Sequence, residues 1–219
     1  MSLLIAIIIS YLLGSIPSGY IFSKISGREI LKIGWRKTSG SNVFRYVGAW
    51  QGLATGLSDV AKGFLAVFLA QNFGLSPAFQ ALCGAVAVTG NNWSFFLKFA
   101  GGRGIGAFLG AFLVLSPKLL ALSFIPFALL SLIWNASIGT IFFLITSLFL
   151  AIYFGQFQTI GILTLTSLAP IFIKRLSPIG EIFPIKEKLA LIRNRLTFDN
   201  DELCLDLRIV RLFRYLTWW

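Results

Sequence analysis

Between Lys62 and Lys98 this chain of 219 residues carries no charged side chain for 35 positions, and between Lys118 and Lys174 none for 55. A helix crossing the hydrocarbon core of a bilayer needs about 20 predominantly apolar residues, so these blanks hold several crossings. Charged residues make up 12% of the chain, roughly half of what soluble domains carry. Mean hydropathy is +0.83. The chain reads as an all-α, polytopic membrane protein.

Turn signals divide the apolar regions. Gly74-Leu75-Ser76-Pro77, Ser116-Pro117, Asn135-Ala136-Ser137 and Gly155-Gln156 each interrupt them. Seven spans are expected, near 2–22, 51–70, 77–97, 105–117, 119–134, 138–154 and 158–173, the fourth being short. Residues 1–173 then form the transmembrane domain, with loops at 23–50 and 98–104, and residues 174–219 form a tail. Six Lys and Arg lie between the first two spans, two between the third and fourth, and nine after the seventh. The opposite loops hold only Lys118. The positive-inside rule therefore predicts an outer N-terminus and a cytoplasmic tail in the cell inner or plasma membrane. With no basic n-region ahead of the first span, no signal peptide is expected. In the tail, Asp199, Asp201 and Glu202 precede Arg208, Arg211 and Arg214 at a spacing of three, and Leu205, Ile209, Leu212 and Leu216 share a stripe. This predicts an amphipathic helix, lying on the inner leaflet or packed against the bundle.

The chain has no histidine, which closes imidazole-based triads, proton relays and His-ligated metal sites. Cys83 falls in a span and Cys204 in the tail, so neither a disulfide framework nor a metal cluster is expected, and no cofactor is implied. The formal charge of +11 fits cytoplasmic loops and anionic membrane lipids rather than nucleic acid.

Three polar features remain. Asp59 and Lys62, three residues apart, sit on one face of the second span, either as a structural ion pair or facing a polar pocket. The loop Lys98-Phe99-Ala100-Gly101-Gly102-Arg103-Gly104 opens the short fourth helix. Its glycines are expected to let backbone N–H groups approach an anion, with the helix dipole and Arg103 adding positive charge. The loop from Gly34 to Arg45 places Ser41 and Asn42 among Arg36, Lys37 and Arg45, as if forming the facing half of an anion pocket.

These stretches together resemble the bacterial acyl-phosphate:glycerol-3-phosphate acyltransferases, a seven-span family, over roughly residues 8–180. Gly14-Ser15-Ile16-Pro17-Ser18-Gly19 with Lys24 is similar to the family's opening span. Ser41-Asn42-Val43-Phe44-Arg45 resembles T-N-V-x-R, and Asp59-Val60-Ala61-Lys62-Gly63 matches D-x-x-K-G. Gly90-Asn91-Asn92-Trp93-Ser94 through Phe99-Ala100-Gly101-Gly102-Arg103-Gly104-Ile105 resembles G-H-x-x-P…F-x-G-G-K-G-V. Asn91 stands for the family histidine, Ser94 for its proline and Arg103 for its lysine. Bulky Trp35, Arg36 and Lys37 lie where small residues are usual. Lys174-Arg175 through Ile179 stands where R-H-x-x-N-I is found.

The resemblance implies transfer of a fatty acyl group from acyl phosphate to glycerol 3-phosphate, giving lysophosphatidic acid. It implies catalytic roles for Ser41, Arg45, Asn91 and Arg103, and phosphate or substrate binding by Asn42, Lys62, Lys98, Gly101, Gly102 and Gly104. A mixed anhydride has a good leaving group, so a histidine-free site that positions substrates and neutralises charge is chemically sufficient. The rival reading is a non-catalytic paralogue that binds an anionic lipid or acyl phosphate. A small transporter would want more intramembrane polar groups and broken helices than spans five to seven offer.

Overall fold

In a computed structural model of the chain, residues 3–184 and 187–198 are described. Among these, all regular structure is helical. The seven predicted spans are all present as helices. The first is two pieces, α1 (Leu3–Ser15) and α2 (Ser18–Ile25), because Pro17 has no N–H to donate and its ring disfavours helical geometry before it. After a short loop helix, α3 (Gly40–Tyr46), come α4 (Ala49–Asn72), α5 (Pro77–Asn92), α6 (Ile105–Leu115), α7 (Pro117–Ile133), α8 (Ala136–Tyr153) and α9 (Ile162–Leu176). Leu3–Ile25, Ala49–Asn72, Ala136–Tyr153 and Phe157–Leu176 are long and apolar enough to cross a membrane. The third span ends at Asn92 rather than 97, and a separate short turn, Phe95–Leu97, follows.

The last span also differs. It continues to Leu176 and takes Lys174 and Arg175 into the helix, where each is only 4% exposed. A further helix, α10 (Lys188–Phe198), follows within the expected tail. The amphipathic helix predicted over 199–219 lies outside the described residues.

The distribution of side chains is that of a protein surrounded by lipid. Ile145, Phe149 and Ile152 of α8 point outward and are exposed, while Ser147 on the same helix is fully buried. Its hydroxyl lies 3.2 Å from that of Thr164 on α9, an interhelical bond of the kind that joins helices where the surroundings are themselves apolar. The aromatic centre is Phe108, Phe112 and Phe143, all fully buried, with ring centroids 5.6–5.9 Å apart.

Where lipid and core are equally apolar, helices associate by close packing, and small residues set the distance. A Cβ at Gly63 of α4 would collide with the carbonyl of Ala107, and one at Gly110 of α6 with the carbonyl of Val60. Backbone therefore lies on backbone along α4 and α6. With only 11 residues, α6 rises about 16 Å, half the hydrocarbon thickness, so it reaches the membrane surface only through the loops at its ends.

This packing is directly testable. Gly110→Val should lower the thermal midpoint in detergent by about 2–12 °C, from overpacking worth roughly 1–3 kcal/mol. Gly180→Val, where a Cβ meets open space, should leave it unchanged. Equal midpoints would refute close packing as the reason for Gly110.

Candidate functional site

The two predicted loops meet. The Thr38 N–H donates to the Gly101 carbonyl at 3.1 Å, and the Arg103 guanidinium sits 4.4 Å from the Trp35 ring centre. Arg103 Nη1 also approaches Ser41 Oγ at 3.5 Å, a long contact.

Each half is built by an asparagine. Asn42 is fully buried and staples the first loop. Its Oδ1 accepts from the Trp35 N–H at 3.0 Å, and its Nδ2 donates to the Lys37 carbonyl at 2.7 Å and more weakly to that of Ile33 at 3.4 Å. Asn42 therefore shapes the loop that presents Ser39, Gly40 and Ser41, instead of facing a ligand itself.

Asn91 does the same for the second loop. Its carbonyl accepts from the Gly102 N–H at 2.8 Å and its Oδ1 from the Gly104 N–H at 3.2 Å. This corrects the sequence reading of the glycines. The N–H groups of Gly102 and Gly104 are engaged by Asn91 and do not form a cradle. A Cβ at Gly101 would strike the Asn91 and Asn92 carbonyls, and Gly104 has φ +76°, so close approach and left-handed geometry account for the glycines. The loop presents Arg103 and the start of α6 instead. The first turn of a helix brings N–H groups without intrahelical partners and the positive end of the dipole.

These elements enclose a cavity of about 230 Å³. Ser39, Gly40, Ser41, Gly56, Asp59, Arg103, Gly104, Gly106, Ser137, Thr140 and Arg175 supply its polar wall, and Ile105, Phe127, Ala136 and Ile171 its apolar one. Two guanidinium groups beside apolar side chains suit an amphiphile with a phosphate head.

The remaining predicted residues divide. Asp59 reaches the cavity, but Lys62 does not line it. Lys62 Nζ bonds Asp59 Oδ1 at 2.7 Å and Ser18 Oγ at 2.9 Å, and Ser18 donates to Asp59 at 3.1 Å. The pair pins α2 to α4 while Asp59 also faces the cavity, so Lys62 stands one residue behind the wall. Arg45 is exposed and lies outside the cavity wall, 5.7 Å from Trp35 and 5.8 Å from Tyr46. Lys98 is exposed on the turn before the glycines, with φ +51°, and is not in the cavity wall either.

Sequence reasoning did not place Arg175 in the site. It enters through α9, with Nη2 donating to the Ser137 carbonyl at 3.2 Å and Nη1 to that of Leu196 at 2.7 Å. The signal in the sequence was the pair Lys174-Arg175 directly after a stretch of 55 uncharged residues, where the cost of burying charge implies a use. Ser137 and Thr140 gave no comparable signal, since hydroxyls in spans are ordinarily packing groups.

A polytopic helical membrane protein with a cation-lined, half-apolar cavity among its helix ends is the class these features define. The family model for glycerol-3-phosphate acyltransferase matches residues 4–183, and the chain belongs to that family. Glycerol-3-phosphate acyltransferase 1 of Deinococcus radiodurans is 40% identical over 116 residues, covering 53% of this chain and 59% of that one. The Desulforudis audaxviator protein is 39% identical over 122 residues, covering 55% and 61%. Glycerol-3-phosphate acyltransferase 2 of Moorella thermoacetica is 36% identical over 162 residues, covering 70% and 79%. The chain thus spans about six tenths of the length of two of these relatives. Among solved structures, the glycerol 3-phosphate form of PlsY (YgiH), an integral membrane glycerol 3-phosphate acyltransferase, superposes with TM-score 0.73 at 25% identity. That match covers 84% of this chain and 93% of PlsY.

The buried pair offers a test of the ion-pair assignment. Lys62→Ala strands a buried carboxylate and should destabilise the protein by about 3–5 kcal/mol, whereas Asp59→Asn with Lys62→Met should restore most of the midpoint. A single variant as stable as wild type would refute the pair's structural role.

Proposed function

We propose that this chain transfers a fatty acyl group from acyl phosphate to the 1-hydroxyl of glycerol 3-phosphate, releasing inorganic phosphate and forming lysophosphatidic acid. The observation that carries this reading is the junction of the two loops, Thr38 N–H on the Gly101 carbonyl and Arg103 against Trp35, at the rim of a cavity with an apolar interior. Two solved PlsY forms, with glycerol 3-phosphate and with lysophosphatidic acid, support the acceptor and the product. The acyl phosphate donor is supported by the apolar wall for the chain and the cationic rim for the phosphate.

In this reading Arg103, Arg175 and the start of α6 neutralise the donor phosphate, while Ser41 at the rim and Arg45 outside it attract the acceptor. The acceptor oxygen bonds to the acyl carbonyl carbon as the bond from that carbon to the phosphate oxygen breaks. The hydroxyl proton passes to the departing phosphate, the base at hand in a chain without histidine. Protein groups contribute position and fixed positive charge. In this proposal the seven apolar segments, α6 together with the loops at its ends, cross the inner or plasma membrane, with the N-terminus outside and the basic loops and tail on the cytoplasmic side. The substrates then meet at the cytoplasmic edge.

One observation favours a second reading, a paralogue that binds acyl phosphate or an anionic lipid without turnover. Asn91, where the resemblance places a histidine, is engaged through Oδ1 with the Gly104 N–H and so serves the loop.

The deciding experiment supplies palmitoyl phosphate and glycerol 3-phosphate to the purified protein in lipid and follows phosphate and lysophosphatidic acid together. Equal yields of both are expected. Arg103→Ala should cost at least about 10²-fold in kcat/KM, the scale of removing one oriented charge-bearing donor. Arg45→Ala should act chiefly on KM for glycerol 3-phosphate. Binding of palmitoyl phosphate with neither product, in folded protein, would establish the second reading instead.

A further inference from the structure

Helix α4 carries glycines at 52, 56 and 63. Two of them are placed by collision: a Cβ at Gly52 would strike the backbone of Phe44, and one at Gly63 the Ala107 carbonyl. Gly56 is different, because a Cβ there meets nothing within 4 Å. A glycine inside a helix lowers stability relative to alanine. Neither backbone geometry nor helix packing accounts for this one.

Gly56 lines the cavity. At about 100° per residue it falls between two faces of α4. Leu53 and Leu57, on one side of it, are 57% and 63% exposed, while Gly52, Thr55 and Asp59, on the other, are buried. Helix α4 packs against α6, and α7 against α8. The cavity lies between these pairs, with Gly56 and Asp59 on one side and Phe127, Ala136 and Thr140 on the other. Gly56 therefore marks the line where the cavity meets lipid, and a side chain there would stand in the opening.

The cavity holds about 230 Å³, below the roughly 300–1,000 Å³ of pockets that enclose a drug-sized ligand. A long-chain acyl phosphate is at least that large, so its head and first carbons fit and the rest of its chain has to leave. Toward water each methylene would lose the favourable transfer into an apolar environment. Across Gly56 the chain enters lipid directly.

We propose that Gly56 is the port through which the hydrocarbon chain of the donor runs from the cavity into lipid, between α4 and the α7–α8 pair. Its missing side chain sets which acyl chains are accepted, which makes it a specificity-determining position for long-chain donors. The inference rests on reading the cavity as the donor site.

The test uses the full chain in lipid vesicles as wild type, Gly56→Ala, Gly56→Leu and Gly56→Phe, with Ile145→Ala on the outward face of α8 as the control. The quantity read is the ratio of kcat/KM for palmitoyl phosphate to that for butyryl phosphate, whose chain ends inside the cavity. Gly56→Leu should lower this ratio about tenfold, the scale on which apolar pockets discriminate, Gly56→Phe should lower it further, and the control should leave it alone. Gly56→Ala should keep a thermal midpoint no lower than wild type, since its methyl group enters open space, whereas Gly63→Ala should lower the midpoint. An unchanged ratio in Gly56→Leu would overturn the port, including the case in which both donors lose equally and the space belongs to the phosphate head. If the larger variants do not fold, Gly56→Ala makes the same comparison, with an expected fall of about fourfold, the worth of one methylene group. Thermal shifts given by the non-reacting palmitoyl and butyryl phosphonates supply a readout apart from turnover. Wild-type protein stabilised by palmitoyl phosphonate but without turnover would overturn the acyltransferase reading alone, and the loss of that shift in Gly56→Leu then decides the port. A protein that neither turns over nor responds to either phosphonate overturns both.

Discussion

Backbone that leaves a helix inside an apolar environment has to find its hydrogen-bond partners within the protein, because lipid offers none. The rest of this structure depends on how that is met between α5 and α6. Helix α6 is too short to cross the bilayer by itself, and the twelve residues from Trp93 to Gly104 that lead into it have no regular helix beyond one short turn. Asn91 answers for two of their N–H groups, the Ala100 carbonyl accepts from Ser94, and the Gly101 carbonyl accepts from Thr38 in the other loop. The last of these bonds is also what assembles the site. Satisfying the turn and closing the cavity are one act.

The cations follow a consistent pattern. Arg103 lies over Trp35, Lys174 lies 5.7 Å from the Trp93 ring centre, and Arg175 and Arg195 are held by backbone carbonyls. Aromatic faces and carbonyl dipoles each give a cation a direction. The contrast is Lys62, whose charge is tied to Asp59 and which takes no place in the cavity wall.

Much of the candidate site was legible, though often for a different reason than the one the residues suggested. Asn42, Asn91 and the glycines at 101, 102 and 104 are all at the site, but their part is to give the loops their shape. Sequence marks such residues as unusual in a membrane-facing loop and is silent on which way an amide points. The glycine loop suggested a cradle of N–H groups, whereas Asn91, ten positions ahead of Gly101, consumes two of them. Arg175 was hidden by its place at the end of a span, where a basic residue ordinarily marks the membrane boundary, and its role rests on α8 and α10 being beside it.

The sequence by itself determined that the chain is helical and embedded in lipid, where its apolar segments begin and end to within a few residues, and that no imidazole is at hand in it. Those follow from local quantities, hydropathy per residue and the residues that break helices, which act before any tertiary contact forms. Tertiary structure decided that two loops separated by some sixty residues share a wall, that Lys62 pairs with Asp59 while Arg175 lines the cavity, and that α10 packs beside α8 and α9. These depend on which helix faces meet. In an apolar solvent that is settled by close packing of small residues such as Gly63 and Gly110, and by the few polar groups that must find one another.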